Sequence, residues 1–162
     1  MRPGSIRVPE DLPSIQAALA GVCDGDTVLV APGTYTESEI ELGAREILLT
    51  GSDPADSAVV AATVIDGQGA GPVIDIGNTF DKNPTIRGLT VTGGAAPMGG
   101  GIICRLGALP RIEHCRIVAN QSDSVGGGVY IDRAEPSFTD CLLSLNYRAG
   151  SGGAMYLSEV ER

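Results

Sequence analysis

The sequence predicts an all-β solenoid, a stack of coils covered at its N-terminal end by a short α-helix. Three observations predict it. First, segments beginning at Asn83, Leu109 and Pro136 repeat with a period of 26 to 27 residues. Pro84, Pro110 and Pro136 share one column, followed by Ile86, Ile112 and Phe138, by Leu89, Cys115 and Cys141, and by Val91, Ile117 and Leu143. After one inserted residue, Gly101, Gly128 and Ala154 align, ahead of Ile102, Val129 and Met155. A period of this size means coils that bury their apolar faces only by stacking on one another. Second, 23 glycines and 10 prolines break the 162 residues into many short apolar runs, the pattern of short strands joined by tight turns. Third, residues 9–21 read as one amphipathic helix, placed where a terminal unit must cover the first coil.

Taken in order, residues 1–25 form the N-terminal cap. In PEDLPSIQAALAG, Asp11 or Ser14 serves as the N-cap, Pro13 suits a first turn, Ile15, Ala18 and Leu19 make one apolar face, and Gly21 stops the helix. Residues 26–82 form irregular first coils, with strands expected at Asp26–Val30, Glu46–Leu49, Val59–Ile65 and Val73–Ile76, broken by GSDPAD and DGQGAG. Residues 83–162 form three regular coils, so 1–162 is a single solenoid domain. The regular pattern runs to the last residue without a closing helix. An uncovered last coil carrying Phe138, Met155 and Leu157 is expected to pair with another molecule, which makes these residues the candidate interface of a homo-oligomer.

Composition excludes several functions. Forty-three per cent hydrophobic residues argue against disorder, and a net charge of −9 disfavours nucleic acid and anionic membrane surfaces. No apolar run approaches the length of a membrane span, and no glycine run carries the Lys-Ser or Lys-Thr ending of a phosphate-binding loop. Cys23, Cys104, Cys115 and Cys141 match no zinc or redox spacing. Three of them stand in apolar columns, which suits buried thiols. Cys115 and Cys141 lie one coil apart, close enough for a disulfide although their side chains point the same way.

The segment PSIQAALAGVCDGDTVLVAPGTYTE resembles the start of proteins of the pectin-lyase-like superfamily, and GGGIIC…LPRIEHCRIVAN and GGGVYI…PSFTDCLLSLN resemble its parallel β-helix repeat. The resemblance covers nearly the whole chain and implies a right-handed parallel β-helix. It does not select an activity, because the superfamily contains polysaccharide lyases, glycoside hydrolases, esterases, phage tailspikes and bacterial surface proteins. An extracellular or cell-surface location goes with it.

Alternation along the strand after each glycine run turns Ile102, Cys104, Val129, Ile131, Met155 and Leu157 inward, and Ile103, Tyr130 and Tyr156 outward. That outward stripe is either a platform for sugar rings or a set of strand neighbours that pair with one another. Adjacent coils set Arg87 beside Glu113, Arg105 beside Asp132, His114 beside Asp140 and Arg133 beside Glu159, an ion ladder that accounts for the charges without catalysis. Asn120 and Asn146 align one coil apart, as asparagines that hydrogen-bond successive bends do. Together with Asp123, Tyr147 and Arg148, Asn120 also offers a shallow polar surface for a glycan.

No catalytic set emerges. No adjacent Asp-Asp pair occurs, Asp66 in VIDGQG reads as a turn residue, and Asp132 and Glu135 near Arg133 are the nearest approach to a lyase site. The expected function is therefore a non-catalytic extracellular or cell-surface module, structural or weakly glycan-binding, with no catalytic residue, metal or cofactor. The alternatives are a carbohydrate-active enzyme, a polysaccharide lyase or glycoside hydrolase, or the N-terminal part of a longer enzyme of that kind.

Overall fold

The computed structural model describes residues 4–77, 82–150 and 152–158. They form a parallel β-solenoid of about six turns. The first turn holds β1 (Ser5–Val8) and α1 (Ile15–Gly21), and the second β2 (Thr27–Val30), β3 (Gly33–Thr36) and β4 (Ile40–Glu41). The third holds β5 (Leu48–Gly51), α2 (Ser57–Ala62), β6 (Thr63–Asp66) and β7 (Ile74–Gly77). Three fuller coils follow. They are β8 (Thr85–Arg87), β9 (Thr90–Thr92), β10 (Ala95–Met98) and β11 (Ile102–Arg105); β12 (Arg111–Glu113), β13 (Arg116–Val118), β14 (Gln121–Val125) and β15 (Val129–Asp132); and β16 (Ser137–Thr139), β17 (Leu142–Ser144), β18 (Tyr147–Arg148) and β19 (Met155–Ser158).

Corresponding strands stack into four parallel sheets, ordered β1-β2-β5-β8-β12-β16, β3-β6-β9-β13-β17, β4-β7-β11-β15-β19 and β10-β14-β18. The register follows the columns read from sequence: Ile112 pairs with Ile86 and Phe138, Ile117 with Val91 and Leu143, and Val129 with Ile102 and Met155. Inward residues of these columns fill one continuous core, in which Leu49, Ile86, Leu89, Ile112 and Ile117 are fully buried. Coil corners turn through the left-handed region. Gly88 (φ 64°) takes that conformation without a Cβ penalty, whereas His114 (51°) and Asp140 (51°) adopt it as L-residues in the same column.

The cap differs in detail from the sequence reading. The helix is Ile15–Gly21 and Ser14 is its N-cap, with Ser14 Oγ accepting from Ala17 N at 3.1 Å. Asp11 accepts from Arg7 N instead, and Pro13 precedes the cap. Glu37, from the next coil, accepts from Ile15 N at 2.8 Å and Gln16 N at 2.9 Å, so its carboxylate also satisfies the open end of the helix. Ile15, Ala18 and Leu19 are buried against the first coils.

The expected strand Val59–Ile65 is half helix. Asp56 accepts from Ala58 N at 2.8 Å and caps α2, whose alanine-rich turn buries Val60 before the chain extends into β6. The strands expected at Asp26–Val30, Glu46–Leu49 and Val73–Ile76 are β2, β5 and β7, the last two displaced along the chain by one to two residues.

Candidate functional site

Three features carry polar chemistry: an ion ladder, a cleft beside it and a buried asparagine ladder. In the ion ladder, Arg87 Nε lies 3.8 Å from Glu113, and His114 Nδ1 lies 3.9 Å from Asp140. Arg105 stands in register with Asp132 but binds elsewhere. Its guanidinium turns to Asp75 in the preceding coil, while Asp132 meets Arg133 at 3.4 Å. Two local features explain the choice. Arg105 is in register with Gly77, which has no side chain to obstruct its passage along the sheet, and Asp75 is the more enclosed carboxylate, with 17% of its side chain exposed. The expected Arg133–Glu159 pair lies outside the described residues.

Asp75 is the titratable group most affected by this arrangement. Burial raises its carboxyl above the usual aspartate value; Arg105 opposes that shift, and Glu41 and Glu39 reinforce it. Glu41 is the register neighbour of Asp75, and Glu41, Asp75 and Arg105 line a cleft of about 270 Å³. Among the described residues, Asp75 Oδ1 is buried without a hydrogen-bond partner. The sequence reading missed this pairing; the alternation in VIDIG turns Asp75 outward, but only the register with β4 brings Glu41 beside it.

The asparagine ladder holds one bend of the coils. Asn120 Oδ1 accepts from Gly94 N at 2.9 Å, and its Nδ2 donates to Val91 O at 3.0 Å, Val118 O at 3.2 Å and Asn146 Oδ1 at 3.1 Å. Asn146 Oδ1 also accepts from Asn120 N, and its Nδ2 donates to Ile117 O at 2.8 Å. Asn120 is 1% exposed, so its amide is withdrawn from any surface. Of the residues grouped with it, Tyr147 and Asp123 are exposed. Arg148 is half-buried beside its register neighbour Ser122, with Nη1 and Ser122 Oγ both buried and unpartnered.

The outward stripe is a stack. Tyr130 and Tyr156 lie in register with ring centroids 6.0 Å apart and planes 6° apart. Rings that face one another along the stacking direction offer mainly edges sideways, and only the outer face of Tyr156 is left by this pair. Ile103 is 8% exposed, because the Met98–Gly99 segment covers it: a Cβ on Gly99 would sit 2.6 Å from Ile103 Cγ1.

In the last coil the inward columns come to the surface. Along one column Ile76 and Cys104 are fully buried, Ile131 is 4% exposed and Leu157 is 59% exposed. Phe138 and Met155 are half-buried against the core. Among the described residues, β16, β17, β18 and β19 each have a strand partner on one side only.

The thiols are free. Burial pushes Cys115 up to about 12 and raises Cys104 further, and Cys23 is exposed. Among the described residues no group of three or more His, Cys, Asp or Glu is arranged to hold a metal ion, and no helix is long and apolar enough to cross a membrane. No protein-family model matches the chain, nor does any curated protein or solved structure.

Proposed function

We propose that this chain is a non-catalytic β-helix module of the pectin-lyase-like kind, outside the cell or on its surface, that works by docking its last coil onto a second copy of itself. The observation that carries the proposal is the apolar face that the described residues present at the last coil, where the core column reaches Leu157 at 59% exposure beside strands β16 to β19, each paired on one side among those residues. The second copy is favoured as occupant by the asymmetry of the two ends. α1 covers the N-terminal coils with Ile15, Ala18 and Leu19, so a head-to-tail stack has no matching apolar face. Two end faces of the same kind can meet about a two-fold axis, which closes the assembly as a dimer and stops it growing into a filament.

The size of the face is adequate. A coil whose period takes Ile112 to Phe138 encloses an area on the order of 500 Å², if its backbone advances about 3.3 Å per residue. Two such faces bury on the order of 1,000 Å², the lower bound for a specific interface. Tyr156 adds an outer ring face at this end. The surface placement rests on the family resemblance.

Light scattering on the whole chain tests the reading. The expected result is a dimer mass that falls towards monomer in Leu157→Lys, with the β-rich circular dichroism unchanged. A wild-type monomer at every concentration, or a filament, contradicts it.

A further inference from the structure

The geometry points to a second site, independent of the end face: a cleft beneath α2 that binds a small carboxylate through Arg116. The cleft exists because the repeat is broken at one corner. In the later coils this corner is two residues long, Gly88–Leu89, His114–Cys115 and Asp140–Cys141, whereas between β5 and β6 the chain inserts residues 52–62 with α2 among them. The insert packs directly on the following coil. A Cβ on Gly88 would sit 2.7 Å from Pro54 Cα, and Thr90 Oγ1 donates to Val60 O at 2.8 Å. The insert therefore covers Gly88 and Thr90, and their equivalents one coil on, His114 and Arg116, line a cleft of about 210 Å³ together with Pro54, Val60, Asp140 and Leu142. In solenoids, insertions confined to single repeats map to loops on one face, and that face is often the binding face.

Arg116 is the group in the cleft that lacks a protein partner. Its register neighbours are Thr90 and Leu142, so no carboxylate flanks it in its own column. Among the described residues its side chain makes no hydrogen bond or ion pair, and its Nε is buried without an acceptor. A buried N–H with no acceptor is costly, and a ligand oxygen supplies what is missing. Asp140 also lines the cleft and lies 3.9 Å from His114 Nδ1, with 70% of its side chain exposed.

The chemistry selects the ligand class. A guanidinium fork matches the two oxygens of a carboxylate. Asp140, which also lines the cleft, repels a dianion such as phosphate about twice as strongly as it repels a monocarboxylate. The apolar sides formed by Pro54, Val60 and Leu142 suit a short hydrocarbon tail, and the volume admits a ligand of only a few carbons. A ligand of this size is expected to bind with a dissociation constant of millimolar order.

The test is a ¹H–¹⁵N NMR titration of the full chain with sodium butyrate, with butyramide and inorganic phosphate titrated in parallel at fixed pH. Saturable shifts confined to residues 55–60, 114–116 and 140–142 are expected with butyrate, with neither butyramide nor phosphate matching them. Arg116→Gln is expected to weaken butyrate by roughly tenfold or more. Ala55→Phe, which fills the cleft from its exposed edge, is expected to abolish the response and decides the matter alone if Arg116→Gln does not fold. The proposal is overturned by absence of saturable butyrate shifts in the wild type, by an equal response to butyramide or phosphate, or by an unchanged response in either folded variant.

Discussion

Replacing Asn120 by alanine removes the amide that holds one bend across three coils. The side chain makes four hydrogen bonds, to Gly94 N, Val91 O, Val118 O and Asn146 Oδ1, from a position 1% exposed. Alanine leaves the Gly94 N–H buried without its partner, at about 1–3 kcal/mol, and the three bonds donated by the amide contribute about 0.5–1 kcal/mol each. The expected loss is about 2.5–6 kcal/mol. With a urea m-value of about 2 kcal/mol/M for a chain of 162 residues, the unfolding midpoint should fall by roughly 1.3–3 M. Asn146→Ala is the internal control. Asn146 is half-buried in the last coil and makes three part-buried bonds, accepting from Asn120 N and Asn120 Nδ2 and donating to Ile117 O, at about 0.5–1 kcal/mol each, so its loss should be about half as large. Urea unfolding followed by circular dichroism reads both variants. A midpoint shift below about 0.5 M for Asn120→Ala, or equal shifts for the two variants, would refute the reasoning that the buried amide holds the bend.

Other predictions concern charge and thiols. Because burial raises the Asp75 carboxyl in the fold, the folded state holds its proton more tightly than the unfolded chain does. Its contribution to stability is therefore full below the ordinary value of 3.8 and is lost as pH rises through the folded value. Asp75→Asn should flatten that decline in chemical denaturation across acid pH; an unchanged slope would contradict the assignment. A double-mutant cycle on Arg105 and Asp75 should show coupling, at most about 1 kcal/mol because Arg105 is half exposed, whereas the cycle on Arg105 and Asp132 should show none. Under a thiol-reactive dye at mildly alkaline pH, Cys23 should react quickly in the native protein and Cys104 and Cys115 only on unfolding; rapid reaction of three or more thiols would show that the core columns are open.

Where the sequence repeats, its columns match the strand register, because each coil must bury the same inward positions against its neighbours. Ile112 between Ile86 and Phe138 and Val129 between Ile102 and Met155 follow from that constraint. Asn120 and Asn146 were legible as a ladder for the same reason. What escaped was what occurs once. α2 carries Val59 and Val60, a β-branched pair that reads as strand, and only the Asp56 cap and the packing of Val60 tip it to helix. Glu37 caps α1 from the neighbouring coil, a contact that no local pattern encodes. The Arg105–Asp75 pair reaches back into the irregular coils, where the repeat columns do not extend, and the absent side chain of Gly77 helps to decide it. The candidate sites were legible in part. Tyr130 and Tyr156 do stack, but face to face, and the Arg116 cleft depends on the insert that the periodicity does not contain.

Native-state hydrogen exchange across a protein dilution series tests the end-face assembly most directly. The account predicts that amides of β16 to β19 gain protection as concentration rises, while those of α1 at the opposite end do not change. Exchange that is independent of concentration throughout the chain, or protection that appears at α1 instead, would contradict it.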